Sequence, residues 1–242
     1  MLRSLAIETS GRLGSVALAE DGHVVAEDTF SHGLQHAAKL LPLIERLTRQ
    51  RGWTPADIHH IYLSIGPGSF TGLRIAVTLA KTLAFATGAQ IVAVPTARVL
   101  VENAPAEARE AVIVLDAKRG QVFTARFRRA TAEQPWQDAE SARLDTLAAM
   151  LARAARPVHL IGEGIPYHRE PIAAAADVIV TDETTWRARA AVVSALGVAM
   201  ARAGTFTDAA ALVPLYVRLP EAEEKRLAAE KSVPSPGTPG QG

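Results

Sequence analysis

The sequence predicts an α/β fold organised around a partly parallel sheet. Three observations carry this. His60–Ser64, a glycine-rich loop, a helical run over Gly72–Thr87 and an apolar run at Gln90–Val94 make a strand–helix–strand unit with short links, the pattern of a crossover between parallel strands. Ahead of it, Ser4–Thr9, Leu13–Ala19 and His23–Thr29 read as three strands joined by the turns SGR and EDG, the second a strong hairpin signal. The 242 residues are 48% apolar with a formal net charge of +1, a globular composition with enough chain for a sizeable core.

The remaining elements come in chain order. From Gly33 to Arg51 the apolar period becomes helical, interrupted by Pro42, which removes a backbone donor and is expected to kink the helix. Thr54-Pro55-Ala56-Asp57 reads as a short helical turn with Thr54 as cap and Pro55 at its first position. A boundary falls near Asn103–Glu107, which divides the chain into an N-terminal lobe, residues 1–104, and a C-terminal lobe, residues 105–220. In the second lobe Ala111–Leu115 and Gln121–Phe127 read as strands around the turn AKRG. Leu144–Ala155 reads as a helix, Val158–Ile161 and Asp177–Val180 as strands, and Thr185–Ala203 as a long helix. Residues 221–242 are charged and then rich in proline and glycine, a composition that cannot bury a core and is expected to be largely disordered.

Several function classes are excluded or left without support. There is no cysteine, hence no disulfide, thiol nucleophile or thiolate metal site. The apolar run at the N-terminus is short and meets Glu8 at once, unlike a secretory leader. The longest apolar region, Ile75–Val94, is broken by Lys81 and Gln90 and does not read as a membrane span. A soluble, cytoplasmic protein is expected. His32 and His36 stand four apart but lack the intervening glutamate of a zinc-protease helix, and His59 and His60 would point to opposite sides of a strand. No metal site is expected.

The loop GPGSFTG at Gly66–Gly72 is the natural candidate for phosphate. It lacks the lysine and hydroxyl residue that come after the last glycine of a P-loop, and its glycine spacing misses the dinucleotide fingerprint. A tight strand-to-helix turn, with Ser69 or Thr71 as cap, is the plainer reading, although a helix N-terminus still attracts anions. The helix after it repeats Ala76, Ala80, Ala84 and Gly88, a stripe that permits close backbone approach, beside a face of Ile75, Leu79, Leu83 and Ala86. In the preceding helix Leu40, Leu41, Leu43, Ile44 and Leu47 spread round more than one side, where a surface helix needs one stripe. Two readings stand for this pair: burial within the chain, or a subunit interface.

LAIETSGRLGSVALAEDG, HAAKLLPLIERL, SIGPGSFTGLRIAVTLAKTLA, LDAKRGQVFTARF and LVPLYVRLPEAE occur in this order from about Leu2 to Glu224. Together they resemble the TsaB (YeaZ) family, GPGSFTGLRI most specifically. The resemblance implies the actin-like, Hsp70-like, sugar-kinase-like ATPase fold with two related lobes. It implies a non-catalytic paralogue of the transferase TsaD, acting in threonylcarbamoylation of the adenosine beside the anticodon in tRNAs that read codons starting with A.

By the same resemblance, TsaD is bound through helices of the first lobe, with the ATPase TsaE joining, tRNA met through the complex, and a homodimer forming when TsaD is absent. The interface would comprise Leu40, Leu43, Ile44, Leu47, Arg74, Ile75, Ala76, Leu79, Ala80, Leu83 and Ala84, with no catalytic residue and no membrane contact. No intrinsic cofactor is expected, and ATP or ADP only at the joint between subunits. TsaD carries a metal-binding His-x-x-x-His pair after the strand that succeeds its glycine loop. Here Val94-Pro95-Thr96-Ala97-Arg98-Val99-Leu100 stands in that place, without imidazole or carboxylate. By the resemblance, Glu8, Thr9 and Ser10 stand at the first turn where related ATPases manage metal-bound phosphate, and Gly162-Glu163-Gly164 is a faint echo of an adenosine-binding turn; ordinary turn chemistry is the other reading of both. An ATP-dependent phosphotransferase of the same fold is the alternative. A peptidase finds no convincing serine–histidine pairing in the sequence.

Overall fold

The structure is a computed structural model that describes residues 1–31 and 36–217. His32, the expected helix start at Gly33 and the expected disordered tail lie outside the described residues.

Two five-stranded sheets carry the fold. The first contains β1 (Arg3–Glu8), β2 (Leu13–Glu20), β3 (His23–Ser31), β4 (His60–Ser64) and β5 (Gln90–Val94), in the order β3-β2-β1-β4-β5. β1 pairs antiparallel with β2 and β2 with β3, while β4 and β5 continue parallel to β1. The second contains β6 (Glu110–Asp116), β7 (Val122–Arg128), β8 (Gln137–Asp145), β9 (Val158–Ile161) and β10 (Val178–Val180), in the order β10-β9-β6-β7-β8. Its pairings repeat the first: antiparallel β6–β7 and β7–β8, parallel β6–β9 and β9–β10. A hairpin meander and then two parallel strands therefore occur twice. The two related lobes of the actin-like ATPase-type fold are present.

Helices close the faces. α1 (His36–Gln50) and α2 (Phe70–Thr87) cover one side of the first sheet. The other side packs on α3 (Thr96–Val101) and α6 (Ala190–Arg202), which share a core with Ala111, Ile113 and Phe127 of the second sheet. α4 (Leu147–Arg153) and α5 (Arg169–Ala173) lie on the outer face of the second lobe. β1 is buried on both faces, which is why LAI reads as a continuous apolar run without alternation. α6 returns from the second half of the chain onto the first sheet and packs tightly there: a Cβ on Gly197 would sit 2.3 Å from the Tyr62 ring.

Several expectations shift. β8, QDAESARLD, is a strand without an apolar face, and its sequence gives no strand signal. It is an edge strand held by its ladder to β7 and by the pairing of Glu140 and Asp145 with Arg153. The helix expected at Leu144 begins at Leu147, since Thr146 caps it by accepting from the Ala149 amide at 3.3 Å. The helix expected from Thr185 splits into a 3-10 turn, Glu183–Trp186, behind Asp182 and a helix that starts only at Ala190. Among the described residues, no helix is long and apolar enough to cross a membrane.

Candidate functional site

Two regions gather the expected site residues: the outer face of α1 and α2, and the cleft between the lobes. Both meet at the glycine loop, so its geometry comes first. The Ser69 hydroxyl accepts from the Gly72 amide at 3.3 Å and caps α2. The Ser69 amide donates to the Ser10 carbonyl at 2.7 Å, and the Thr9 hydroxyl to the Gly72 carbonyl at 2.9 Å. A Cβ at Gly68 would fall 2.4 Å from the Ser10 carbonyl oxygen, and one at Gly72 2.1 Å from that of Thr9. These two glycines thus serve close approach of the helix start to the β1–β2 turn.

Glu8 anchors that turn from below. Its carboxyl is fully buried, and Oε1 accepts from both the amide and the hydroxyl of Ser10 at 2.5 Å. Burial raises its pKa, opposed by the hydrogen bonds from Ser10 and by the nearby Ser64 hydroxyl. Oε2 and the Ser64 hydroxyl have no further partner. Glu8, Thr9 and Ser10 are thus brought together, as a turn clamp.

The cleft encloses about 310 Å³. Ser10, Arg12, Gly68 and Ser69 line it from the first lobe, Asp116, Lys118, Glu163 and Tyr167 from the second. Burial acts to raise the Asp116 pKa, but the Lys118 ammonium 2.7 Å away and the Lys118 amide together hold it below the ordinary carboxylate value. The Arg12 amide donates to Glu163 Oε2 at 3.0 Å and its guanidinium to the Tyr167 hydroxyl. Gly162 and Gly164 seat their turn against β6, where a Cβ would fall 2.3 Å from the Val114 carbonyl oxygen and 2.6 Å from the Asp116 amide nitrogen. Among the described residues no three His, Asp or Glu side chains gather as a metal-binding group. His59 accepts from the Arg3 amide and His60 meets the Tyr62 hydroxyl, so both adjacent histidines have structural partners.

On α1 and α2 the expected interface residues divide between the chain's own core and the outer face. Leu40, Leu43, Ile44 and Leu47 form the stripe of α1 that faces the chain's own core, and Ala76, Ala80 and Ala84 that of α2. The small side chains bring α2 close to its own sheet. These seven residues are buried within the folded chain, Leu40 alone among them also lining the groove between the helices. Of the rest, Ile75, Leu79 and Leu83 are half-buried and Arg74 is exposed.

Between the helices runs an open groove of about 400 Å³, lined by Leu41, Ile75, Leu79, Thr78, Thr82 and Arg74 with Leu40 at its base. Leu41, at 52% exposure, belongs to this face although the expected set omits it. The signal is in the sequence: Leu40, Leu43, Ile44 and Leu47 share one helical phase, and Leu41 stands about 100° off it, an apolar side chain outside the core stripe. Arg74 caps the rim, with its guanidinium 3.8 Å from the Phe70 ring centroid and Nε donating to the Tyr216 hydroxyl at 2.8 Å.

Residues 24–226 match the family model described as TsaD, tRNA N6-adenosine threonylcarbamoyltransferase. A relative from Bacillus subtilis, named tRNA threonylcarbamoyladenosine biosynthesis protein TsaB, is 33% identical over 234 residues, covering 94% of this chain and 99% of the relative. The Escherichia coli protein of the same name is 32% identical over 130 residues, 53% of this chain and 56% of that one. Among solved structures, YeaZ from Pseudomonas aeruginosa superposes with a TM-score of 0.72 at 26% identity, covering 89% of this chain and 100% of that one.

Proposed function

This chain belongs to the TsaB family of tRNA threonylcarbamoyladenosine biosynthesis proteins, and on that premise we propose that it is a non-catalytic subunit that docks and activates TsaD. One observation carries the docking: the α1–α2 groove, where Leu41, Ile75 and Leu79 leave apolar surface uncovered beside the cationic rim of Arg74. A helix pair with its core stripe already satisfied and a second apolar strip outside it fits a helix or hairpin of a partner. The same strip serves a second copy of the chain when TsaD is absent, so homodimer and heterodimer compete. TsaE joins the pair, tRNA meets it through TsaD, and ATP or ADP binds only where the subunits meet. The cytoplasm is the compartment this role requires.

The non-catalytic part rests on the residues at the two places where chemistry would sit. Thr96, Ala97, Val99 and Leu100 occupy the place of the histidine pair; the last three pack into the core that α3 shares with the second lobe, and the Thr96 hydroxyl accepts from the Gly66 amide at 3.0 Å. Glu8, where related ATPases manage metal-bound phosphate, is buried and tied to Ser10.

Reconstitution tests the proposal. TsaD, TsaE, ATP and the threonylcarbamoyl donor are expected to modify tRNA only when this chain is added, and the chain alone is expected to modify none. Modification that proceeds equally without it refutes the activator role. Calorimetric binding of ATP and magnesium to the isolated chain would favour the phosphotransferase instead.

A further inference from the structure

We infer that Arg12 is a latch between the lobes, and that it couples the angle of the cleft to the docking groove on α2. The coupling rests on the docking reading above; the latch does not.

Three sets of contacts lead here. The first is the bridge itself. Arg12 comes from the β1–β2 turn of the first lobe. Its amide donates to Glu163 Oε2 at 3.0 Å, its guanidinium donates to the Tyr167 hydroxyl, and that guanidinium lies 5.6 Å from the Tyr167 ring centroid. Tyr167 is 54% exposed, and Lys118 sits 5.7 Å from the same ring. Of the other polar contacts between the two halves of the chain, one group is made by the segment after α6, where Thr207, Ala210, Leu215 and Tyr216 bond to Ile91, Lys81, Ile65 and Arg74, and a second group lies on the α3 and α6 side. There Arg98 meets the Trp136 carbonyl and Asp138, Ser15 accepts from the Ala190 amide, and Glu27 pairs with Arg189. At the cleft mouth the bridge between the β1–β2 turn and the Glu163–Tyr167 turn is made by Arg12.

The second set shows that each end of the bridge is rigid. Glu163 and Tyr167 belong to a turn pressed against β6, where the Gly164 amide donates to the Val114 carbonyl at 3.0 Å. Arg12 comes just after Ser10, which Glu8 clamps from the core, and Thr9, which is tied to the Gly72 carbonyl. An exposed contact between two rigid bodies reports their angle; between two loose loops it would not.

The third set leads onward. The carbonyl of Ser10 accepts from the amide of Ser69, the α2 cap, and the hydroxyl of Thr9 reaches the Gly72 carbonyl. Gly68 and Gly72 leave no slack, since even a methyl group there would overlap those backbone oxygens. A displacement of the turn therefore moves the first turn of α2, and Arg74, Ile75 and Leu79 move with it along the helix to the groove. Packed elements of this kind shift as units, not by graded deformation.

The charges in the cleft favour a latch over a ligand pocket. Lys118 is matched by Asp116, the Arg12 guanidinium is engaged by the Tyr167 hydroxyl, and Glu163 accepts from the Arg12 backbone amide. Arg12 is exposed and does not line the groove. Its replacement therefore removes no contact within the groove itself.

The chain contains no cysteine, so spin labels on Thr71→Cys and Glu170→Cys report the distance across the cleft mouth without background. Both positions are exposed. Arg12→Ala is expected to lengthen and broaden the distance distribution while leaving the melting midpoint unchanged. In the chain without labels it is expected to weaken TsaD binding by roughly two- to fivefold, the scale of coupling that one exposed charged contact can carry. Tyr167→Phe, which keeps the ring and loses the hydroxyl, should fall between. Superimposable distance distributions for wild type and Arg12→Ala overturn the latch. A changed distribution with unchanged TsaD affinity overturns the coupling. Failure of the wild-type chain to bind TsaD refutes the docking reading instead, while the distance measurement still decides the latch.

Discussion

Two carboxylates, placed one at Ala80 and the other at Leu41, separate the inner from the outer face of the helix pair. Ala80 has no exposed surface and sits among Ala76, Val77, Leu40 and Ile44 in the core under the first sheet. Ala80→Glu must bury an ionised carboxylate, which costs several kcal/mol even after relaxation, and must fit extra heavy atoms into a packed core, about 1–3 kcal/mol more. A total near 4–8 kcal/mol compares with a whole-domain stability of about 5–15 kcal/mol. At roughly 2–4 °C per kcal/mol for a domain of this size, the melting midpoint should fall by about 10–30 °C, or the chain should fail to fold.

Leu41→Glu leaves its charge in water, and its stability effect should stay within about 0.5 kcal/mol. It places that charge on the groove, where loss of a central apolar anchor typically costs about 2 kcal/mol or more of binding, roughly thirtyfold in affinity. Circular dichroism melts and calorimetric titration with TsaD read the two effects separately. An Ala80→Glu protein that melts within about 3 °C of wild type would refute the assignment of the alanine stripe to the core. A Leu41→Glu protein that binds TsaD at wild-type affinity would refute the groove.

Glu8 makes a pH prediction. Burial raises its pKa above the unfolded value, so from about pH 4.5 upward the native state holds a proton that the unfolded chain has released, and this site's contribution to stability declines as pH rises toward the folded pKa. Glu8→Gln keeps an acceptor for Ser10 and adds a permanent donor toward Ser64. It should match or exceed wild-type stability at neutral pH, and the difference in denaturation midpoints should shrink on acidification; a strongly destabilised variant at neutral pH contradicts the reading. Gly72→Ala, whose methyl group meets the Thr9 carbonyl oxygen at 2.1 Å, should cost about 1–3 kcal/mol in denaturant unfolding. Gly197→Ala should destabilise to a similar degree, by pushing α6 off the Tyr62 ring; wild-type stability in either would show that the backbone approach is looser than these distances require.

How much of this was legible in the sequence depends on where the information sits. The first lobe declares itself locally: the EDG hairpin, the apolar strands and the glycine loop each name their own conformation, and the strand–helix–strand unit stands where periodicity places it. The second lobe is less legible because β8 is held by arginine–carboxylate pairs to α4 and to its neighbour strand, partners that no local window contains. The site splits the same way. That GPGSFTG is a helix-starting turn could be read from the helical run directly after it, but the reason for its glycines could not, because the atoms they make room for belong to Thr9 and Ser10, more than fifty residues earlier.

The alanine stripe on α2 carries the sharper lesson. A run of small side chains says that something comes close; it does not say what. The sheet of the same chain and a helix of another satisfy it equally, and only the tertiary structure gives it to the sheet. What remains for the proposed docking face is apolar surface outside the core stripe: Leu41 off the phase of its own helix, and the half-buried Ile75 and Leu79, which pack on the core with one side only. For the proposed interface, the better mark is therefore an apolar residue off the phase of a complete core stripe that joins others in one contiguous strip, as Leu41 does with Ile75 and Leu79.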